Sequence, residues 1–292
     1  AVNIPVFAVG ALREPDFCEK VLAEGKADFV MLGRALIADP EWPEKARTGR
    51  AGEIRRCISC MHACYGNLAK SQSIQCGLNP EAGYESILNT LVTPVKKQKH
   101  IVIVGGGIAG MQAAITACDR GHKVTLLEAA DHLGGQLIIA SVPPHKHYIN
   151  WAREWFTSEV CKRDIDLLFN FTADLQSIQL LNPDLVLVAT GSLPYNPPIP
   201  GIENGVQSWD LLSGKIEIPN NRKVAVLGGG TVGCETAELL ATYGNRVTII
   251  EMLDQIATGL EGANMMDLFE VIKKMEINVL LNSKVTQLEP GL

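Results

Sequence analysis

Apolar residues along this chain fall into short unbroken runs, separated by longer stretches with spaced apolar positions. IPVFAV (4–9) and DFVMLG (28–33) are β-rich and end at Gly10 and Gly33-Arg34. EPDFCEKVLAEGKA (14–27) has helical spacing with a glycine near its end, and EWPEKARTG (41–49) carries proline in its first turn. Strand, helix, strand, helix, with each strand closing on glycine, predicts two units of a parallel α/β fold, the strand at 28–33 being buried. At 100 the texture changes. HIVIVGGGIAGMQAAITACDRGHKVTLLEAA predicts strand, Gly-rich turn, Ala-rich helix and second strand. The same plan recurs in RKVAVLGGGTVGCETAELLATYGNRVTIIEM, and the copies superpose without a gap. DLVLVAT (184–190) reads as a further buried strand, ending in Ala189-Thr190-Gly191.

Each copy holds GxGxxG between a strand and a helix, with an acid 23 residues beyond the first glycine, at Glu128 and Glu251. That context is what a dinucleotide site requires. Gly105 and Gly228 permit the tight turn. Gly107 and Gly230 let the backbone approach a pyrophosphate. Gly110 and Gly233, the former preceded by Ala109, let the helix pack close to the sheet. The helix N-terminus then offers free N–H groups to the phosphates. Glu128 and Glu251 can accept from a ribose 2′-hydroxyl, and a carboxylate there repels a 2′-phosphate, so NADH is expected over NADPH at the second site. Glu235, in the first turn of the second helix, is either a dipole-matched surface acid or part of the nucleotide site.

Between the α/β pieces lies CISCMHACYGNLAKSQSIQC, with cysteines at 57, 60, 64 and 76. LNTLVTPVKKQKH (88–100) follows as a linker. The C-x2-C-x3-C-x11-C spacing suits a [4Fe–4S] cluster, which needs four thiolates, three of them close together. Zinc prefers paired knuckles and only Cys57 and Cys60 fit one. A redox CxxC leaves Cys64 and Cys76 unexplained, and disulfides conflict with an intracellular reading. Arg55, Arg56 and His62 flank the quartet and either raise a cluster's potential or solvate it. Cys18, Cys118, Cys161 and Cys234, and the pair Met265-Met266, read as packing residues. HKHY (145–148) reads as a solvated loop.

Composition narrows the class. Hydrophobic residues make up 47% and charged residues 20%, a globular balance with room for more than one domain. A net charge of −6 with no basic block argues against nucleic acid as the main partner. No apolar run is long enough to span a membrane, and cytoplasm is the default expectation. Both ends look cut: the chain opens directly on a strand and closes just after one, so a piece of a longer protein is expected.

Residues 100–292, with the Gly pair after Glu128 and the Ala189-Thr190-Gly191 strand end, resemble the glutathione-reductase-like flavoproteins. The resemblance implies FAD in the first copy, approached by Gly135 and Gln136 and by Ala189, Thr190 and Gly191. It implies NAD(P)H in the second copy, with Glu235 at the nicotinamide end. It also implies a later segment that completes the FAD site. PVFAVGALREPDFCEKVLAEGKADFVMLGRALIADPEWP resembles the end of the old yellow enzyme barrel. There Gly10 and Ala11, then Gly33 and Arg34, would hold the FMN phosphate. Taken together, the order is similar to iron–sulfur flavoenzymes of the 2,4-dienoyl-CoA reductase, 2-enoate reductase and trimethylamine dehydrogenase group.

The fold expected is therefore α/β throughout. The end of a (β/α)8 barrel occupies 1–50, a four-cysteine cluster segment and linker 51–98, an incomplete FAD-binding Rossmann-like domain 99–220, and an incomplete NAD(P)H-binding one 221–292. The resemblance implies that NADH reduces FAD, that the cluster relays single electrons to FMN, and that FMN reduces the activated C=C bond of an enoate or enoyl-CoA. Two alternatives stand beside it: an amine dehydrogenase running in the opposite direction, and an electron-transfer module without a substrate site of its own. An oligomer is compatible with all three.

Overall fold

The computed structural model describes residues 2–87 and 92–290; the start of the linker (88–91) and residues 1, 291 and 292 lie outside them. Nine strands, all in parallel pairings, form three sheets among the described residues. β1 (Phe7–Val9) pairs with β2 (Phe29–Met31), Phe7 opposite Phe29. β3 (His100–Val104), β4 (Lys123–Leu127), β5 (Ile165–Leu168) and β6 (Leu185–Val188) form a sheet of order β5-β4-β3-β6. β7 (Lys223–Leu227), β8 (Arg246–Ile250) and β9 (Asn278–Leu280) form the third, in that order. The chain divides into two compact units, Ala1–Leu137 with Tyr148–Gly191, and Ile138–His147 with Ser192–Leu292. No helix among the described residues is long and apolar enough to cross a membrane.

In the first unit, helices Ile108–Asp119 and Ile149–Cys161 cover the β3–β4 sheet. Their core centres on Ile103, Met111, Leu126, Phe156 and Val160. A second, smaller core holds Leu12, Cys18, Ala35 and Trp42 beside β1 and β2. The cysteine segment contributes to both: Ile54 joins the smaller core and Leu78 the larger. In the second unit, Cys234, Ala237, Leu240, Ile249, Leu268 and Ile272 pack helices Thr231–Thr242 and Gly262–Lys274 on the sheet.

Two strands expected to be buried are not. Phe29 and Met31 of β2 are 50% and 51% exposed, and β6 runs from Leu185 at 51% to Val188 at 71%. β6 is the edge of its sheet and no described element covers that face. The β1–β2 ribbon has one face on the small core and the other open, where the Phe7 and Phe29 rings stack at 4.8 Å. An unbroken apolar run signals a strand that can be covered, not the layer that covers it.

Buried polar side chains fasten the cysteine segment to its neighbours. Asp39, 2% exposed, accepts from the Glu41 N–H (3.1 Å) and the Arg55 N–H (2.8 Å) and pairs with the Lys45 ammonium at 2.8 Å. Asn79, equally buried, donates to the Ile37 carbonyl at 2.9 Å. Trp155 donates from Nε1 to the Glu53 carbonyl at 3.0 Å. Asp39→Ala leaves two N–H groups without their acceptor and the buried Lys45 with only its 3.5 Å pairing to the exposed Glu41, so it should cost about 3 kcal/mol of stability in urea unfolding. A loss below about 1 kcal/mol would show that water reaches the site.

Candidate functional site

Cys57, Cys60, Cys64 and Cys76 line one cavity, with Ile58, Met61 and Leu78 from their own segment and Arg34 and Ile37 from the segment after β2. Around the first pair the loop takes its shape from left-handed backbone at two non-glycine residues, Ser59 (φ 55°) and Met61 (φ 53°). The segment aims main-chain donors at sulfur: the Ser59 N–H reaches Cys57 Sγ at 3.4 Å and the Leu78 N–H reaches Cys76 Sγ at 3.4 Å. Burial pushes the Cys60 thiol up, opposed by a hydrogen bond from the His62 N–H and reinforced by the three neighbouring thiols. Among the described residues no three His, Cys, Asp or Glu side chains converge where one ion could be held. Four thiols around one largely apolar cavity, with N–H donors to two of the sulfurs, are a donor set compatible with an iron–sulfur cluster.

Arg34, predicted at a phosphate loop, begins the helix Arg34–Ala38 and also lines the cysteine cavity. Gly33 precedes it as the helix cap. Gly10 (φ 106°) and Ala11 (φ 51°) form a left-handed turn directly after β1. Both predicted loops thus follow the C-terminal ends of paired parallel strands, where phosphate loops of such folds lie.

The first Gly-rich turn gathers nearly every residue the motif predicts. A Cβ on Gly105 would run into the Ala189 carbonyl and stand 3.2 Å from Thr190 Cα. A Cβ on Gly110 would collide with the Gly105 carbonyl oxygen, so helix Ile108–Asp119, with Ala109 in its first turn, lies directly against the turn. A Cβ on Gly135 would stand 3.1 Å from Gly107 Cα, and one on Gly191 3.2 Å from Gln136 Nε2. Space next to Gly107 itself is open. Glu128 clasps the turn: Oε2 accepts from the Gly106 N–H at 2.6 Å and Oε1 from the Ala130 N–H at 2.8 Å.

The second turn repeats the clasp. Glu251 accepts from the Gly229 N–H at 2.6 Å and the Leu253 N–H at 2.8 Å, and is 7% exposed. Gly233 abuts the Gly228 carbonyl, while Gly228 and Gly230 face open space. Here the surroundings differ. Lys146 pairs with Glu235 at 2.7 Å, and His145 Nε2 lies 4.0 Å from Glu238 Oε1. In the HKHY stretch His145 is solvated as expected, at 84% exposure, while Lys146 reaches the helix Thr231–Thr242. Glu238 is 5% exposed and its Oε1 has no hydrogen-bond partner among the described residues. Burial raises its proton affinity, the Glu235 charge adds to this, and His145 and Lys146 oppose it. Neither Lys146 nor Glu238 carries a motif, and no local spacing could have singled them out.

Residues 99–291 match the pyridine nucleotide-disulphide oxidoreductase family, and residues 1–53 match the NADH:flavin oxidoreductase / NADH oxidase family. An NADH oxidase from Thermoanaerobacter brockii is 48% identical across 99% of this chain and 45% of that protein. A cinnamate reductase from Clostridium sporogenes is 34% identical across 98% of this chain and 43% of its own length. The solved structure of a 2-naphthoyl-CoA reductase with 2-naphthoyl-CoA aligns at a TM-score of 0.93 and 29% identity, covering 99% of this chain and 44% of that one. The chain spans under half the length of these relatives.

Two outcomes are expected from this geometry. Gly110→Ala should lose at least about 2 kcal/mol of stability because backbone must move. Gly107→Ala, with open space, should lose under about 1 kcal/mol; equal losses in urea unfolding would contradict the packing described. Glu238→Gln should raise Tm at neutral pH. A carboxyl whose folded-state proton affinity is raised makes stability fall as pH climbs above the ordinary glutamate value of 4.5, so the advantage of glutamine should fade on acidification toward that value. A gain independent of pH would assign the effect to packing.

Proposed function

The chain belongs to the pyridine nucleotide-disulphide oxidoreductase family, and from that premise we propose that it is the electron-supply part of an NADH-dependent flavin and iron–sulfur oxidoreductase acting on an activated C=C bond. The observation that carries this reading is the shared cavity: four cysteines and two residues of the β2-following segment, Arg34 and Ile37, face the same space. A zinc knuckle with only a structural role has no need to sit against a flavin-barrel segment; a one-electron carrier does.

Cys57, Cys60, Cys64 and Cys76 would hold the [4Fe–4S] cluster. Gly10, Ala11, Gly33 and Arg34 would hold the FMN phosphate. Gly105, Gly107, Gly110, Glu128, Gly135, Gln136 and the Ala189-Thr190-Gly191 strand end would hold FAD. Gly228, Gly230, Gly233, Glu235 and Glu251 would hold NADH. When bound, these groups supply hydride acceptance from NADH, passage of electrons one at a time, and their delivery as a pair to the substrate.

The chain's own residues set the conditions. The open space beside Gly107 and Gly230 admits a pyrophosphate close to the main chain. The buried Glu251 carboxylate disfavours a 2′-phosphate, which selects NADH. Glu235, expected in the first turn, falls just beyond it in helix Thr231–Thr242, and its ion pair with Lys146 ties that part of the helix to the loop at the predicted nicotinamide end. Relatives that act on cinnamate and on 2-naphthoyl-CoA support a conjugated acyl compound as the substrate class.

Anaerobic reconstitution with ferrous iron and sulfide should load about four irons per chain. Cys76→Ser should lose most of them. NADH should bleach bound FAD at concentrations on the order of tenfold below those NADPH requires. Zinc in the quartet, or a flavin that NADH never bleaches, would overturn the proposal.

A further inference from the structure

Four arginines surround the cysteine segment, and they differ in what balances their charge. Arg56 lies 4.3 Å from the Trp151 ring centre and pairs with Glu154 at 3.3 Å. Arg55 stacks on Trp155 at 4.7 Å, donates from Nε to the Ala38 carbonyl and feels the Asp39 carboxylate. Arg34 lines the cavity and has the phosphate role proposed above. Arg13 stands apart. It is half-buried, and among the described residues no carboxylate pairs with it.

What holds Arg13 is neutral. Its guanidinium lies 4.5 Å from the Tyr148 ring centre and 5.7 Å from that of Trp151. Its main chain is pinned by the Trp42 indole, which donates to the Arg13 carbonyl at 2.9 Å. Its Nη2 donates to Ser59 Oγ at 2.6 Å. Ser59 sits between Cys57 and Cys60, holds a left-handed backbone, and donates its own N–H to Cys57 Sγ. One guanidinium therefore joins the loop after β1, the cysteine loop and the helix Ile149–Cys161.

Removing a cation from water without a counter-charge costs free energy, and two aromatic faces offset only part of it. Arg13 does not itself line the cysteine cavity, but Ser59, which it holds, sits between the lining residues Cys57 and Cys60, and an anion bound by those cysteines would offset the rest. A cluster held by four thiolates is net anionic, and taking up one electron with no proton makes it more so, so a nearby cation stabilises the reduced form.

We propose that Arg13 is a positioning residue for the cluster: it holds Ser59 so that the Ser59 N–H meets Cys57, and its unbalanced charge raises the cluster's reduction potential. The inference rests on reading the cysteine quartet as a [4Fe–4S] site. Hydrogen bonds to sulfur and local charge are two levers by which a chain sets such a potential, and Arg13 works both.

The test uses the full chain and its Arg13→Gln, Arg13→Lys and Ser59→Ala variants, each reconstituted anaerobically with ferrous iron and sulfide. Iron per chain, Tm and the midpoint potential from a redox titration followed by electron paramagnetic resonance are read for each. Arg13→Gln should keep its iron and shift the midpoint to more negative potential. Arg13→Lys should recover part of that shift, and Ser59→Ala, which keeps the charge but loses the tether, should show a smaller shift of the same sign. An Arg13→Gln cluster with full iron and an unchanged midpoint overturns the inference and leaves the cluster reading intact. Wild-type chain that takes up no iron overturns both. Should Arg13→Gln fail to fold, Ser59→Ala decides: a negative shift supports the inference and no shift overturns it.

Discussion

A loop with little regular structure, running from Arg55 to Asn79, cannot hold four thiols in place unless its backbone is tied down from outside. Here the ties are a few buried polar side chains. The Asp39 carboxylate fixes the point where the segment begins, taking the Arg55 N–H and the Lys45 ammonium at once. Asn79 fixes the point where it ends, on the Ile37 carbonyl. Both anchors reach the same short stretch after β2, so the two ends of the cysteine loop are referred to one rigid body. Satisfying buried main-chain groups is obligatory in any fold. In this one it also sets which wall the cysteines face, and every redox role assigned to them depends on that.

The two Rossmann-like copies show how one solution serves two purposes. In both, the acid at the end of the second strand spends its two oxygens on main-chain N–H groups, one of them inside the Gly-rich turn. The carboxylate is thus part of the turn's own architecture, whatever binds there. What separates the copies is their surroundings. The first is walled by a glycine pair and a strand end that press on it from two sides. The second is flanked by a charged patch on the helix that follows, with Lys146 and Glu235 matched and Glu238 left short of a partner.

Much of this was legible in the residues themselves. Gly105, Gly110, Glu128 and their counterparts announce their contacts by local spacing, because turn, helix and strand lie within one βαβ unit. The cysteine quartet is legible for the same reason. Arg13 meeting Ser59, Asp39 meeting Arg55 and Lys146 meeting Glu235 are pairs that only the tertiary fold brings together, and no periodicity encodes them. Burial was misjudged for β2 and β6 on a related ground. Val, Leu and Phe in a strand state that a face is apolar, and the neighbour that would shield it is written elsewhere.

The stacked Phe7 and Phe29 rings, with Val9 70% exposed beside them, leave an oily ledge on the β1–β2 ribbon. Rings stacked this way present one flat apolar face of fixed shape, and any layer that packs on it gains about 25 cal/mol for each Å² of contact it shields from water.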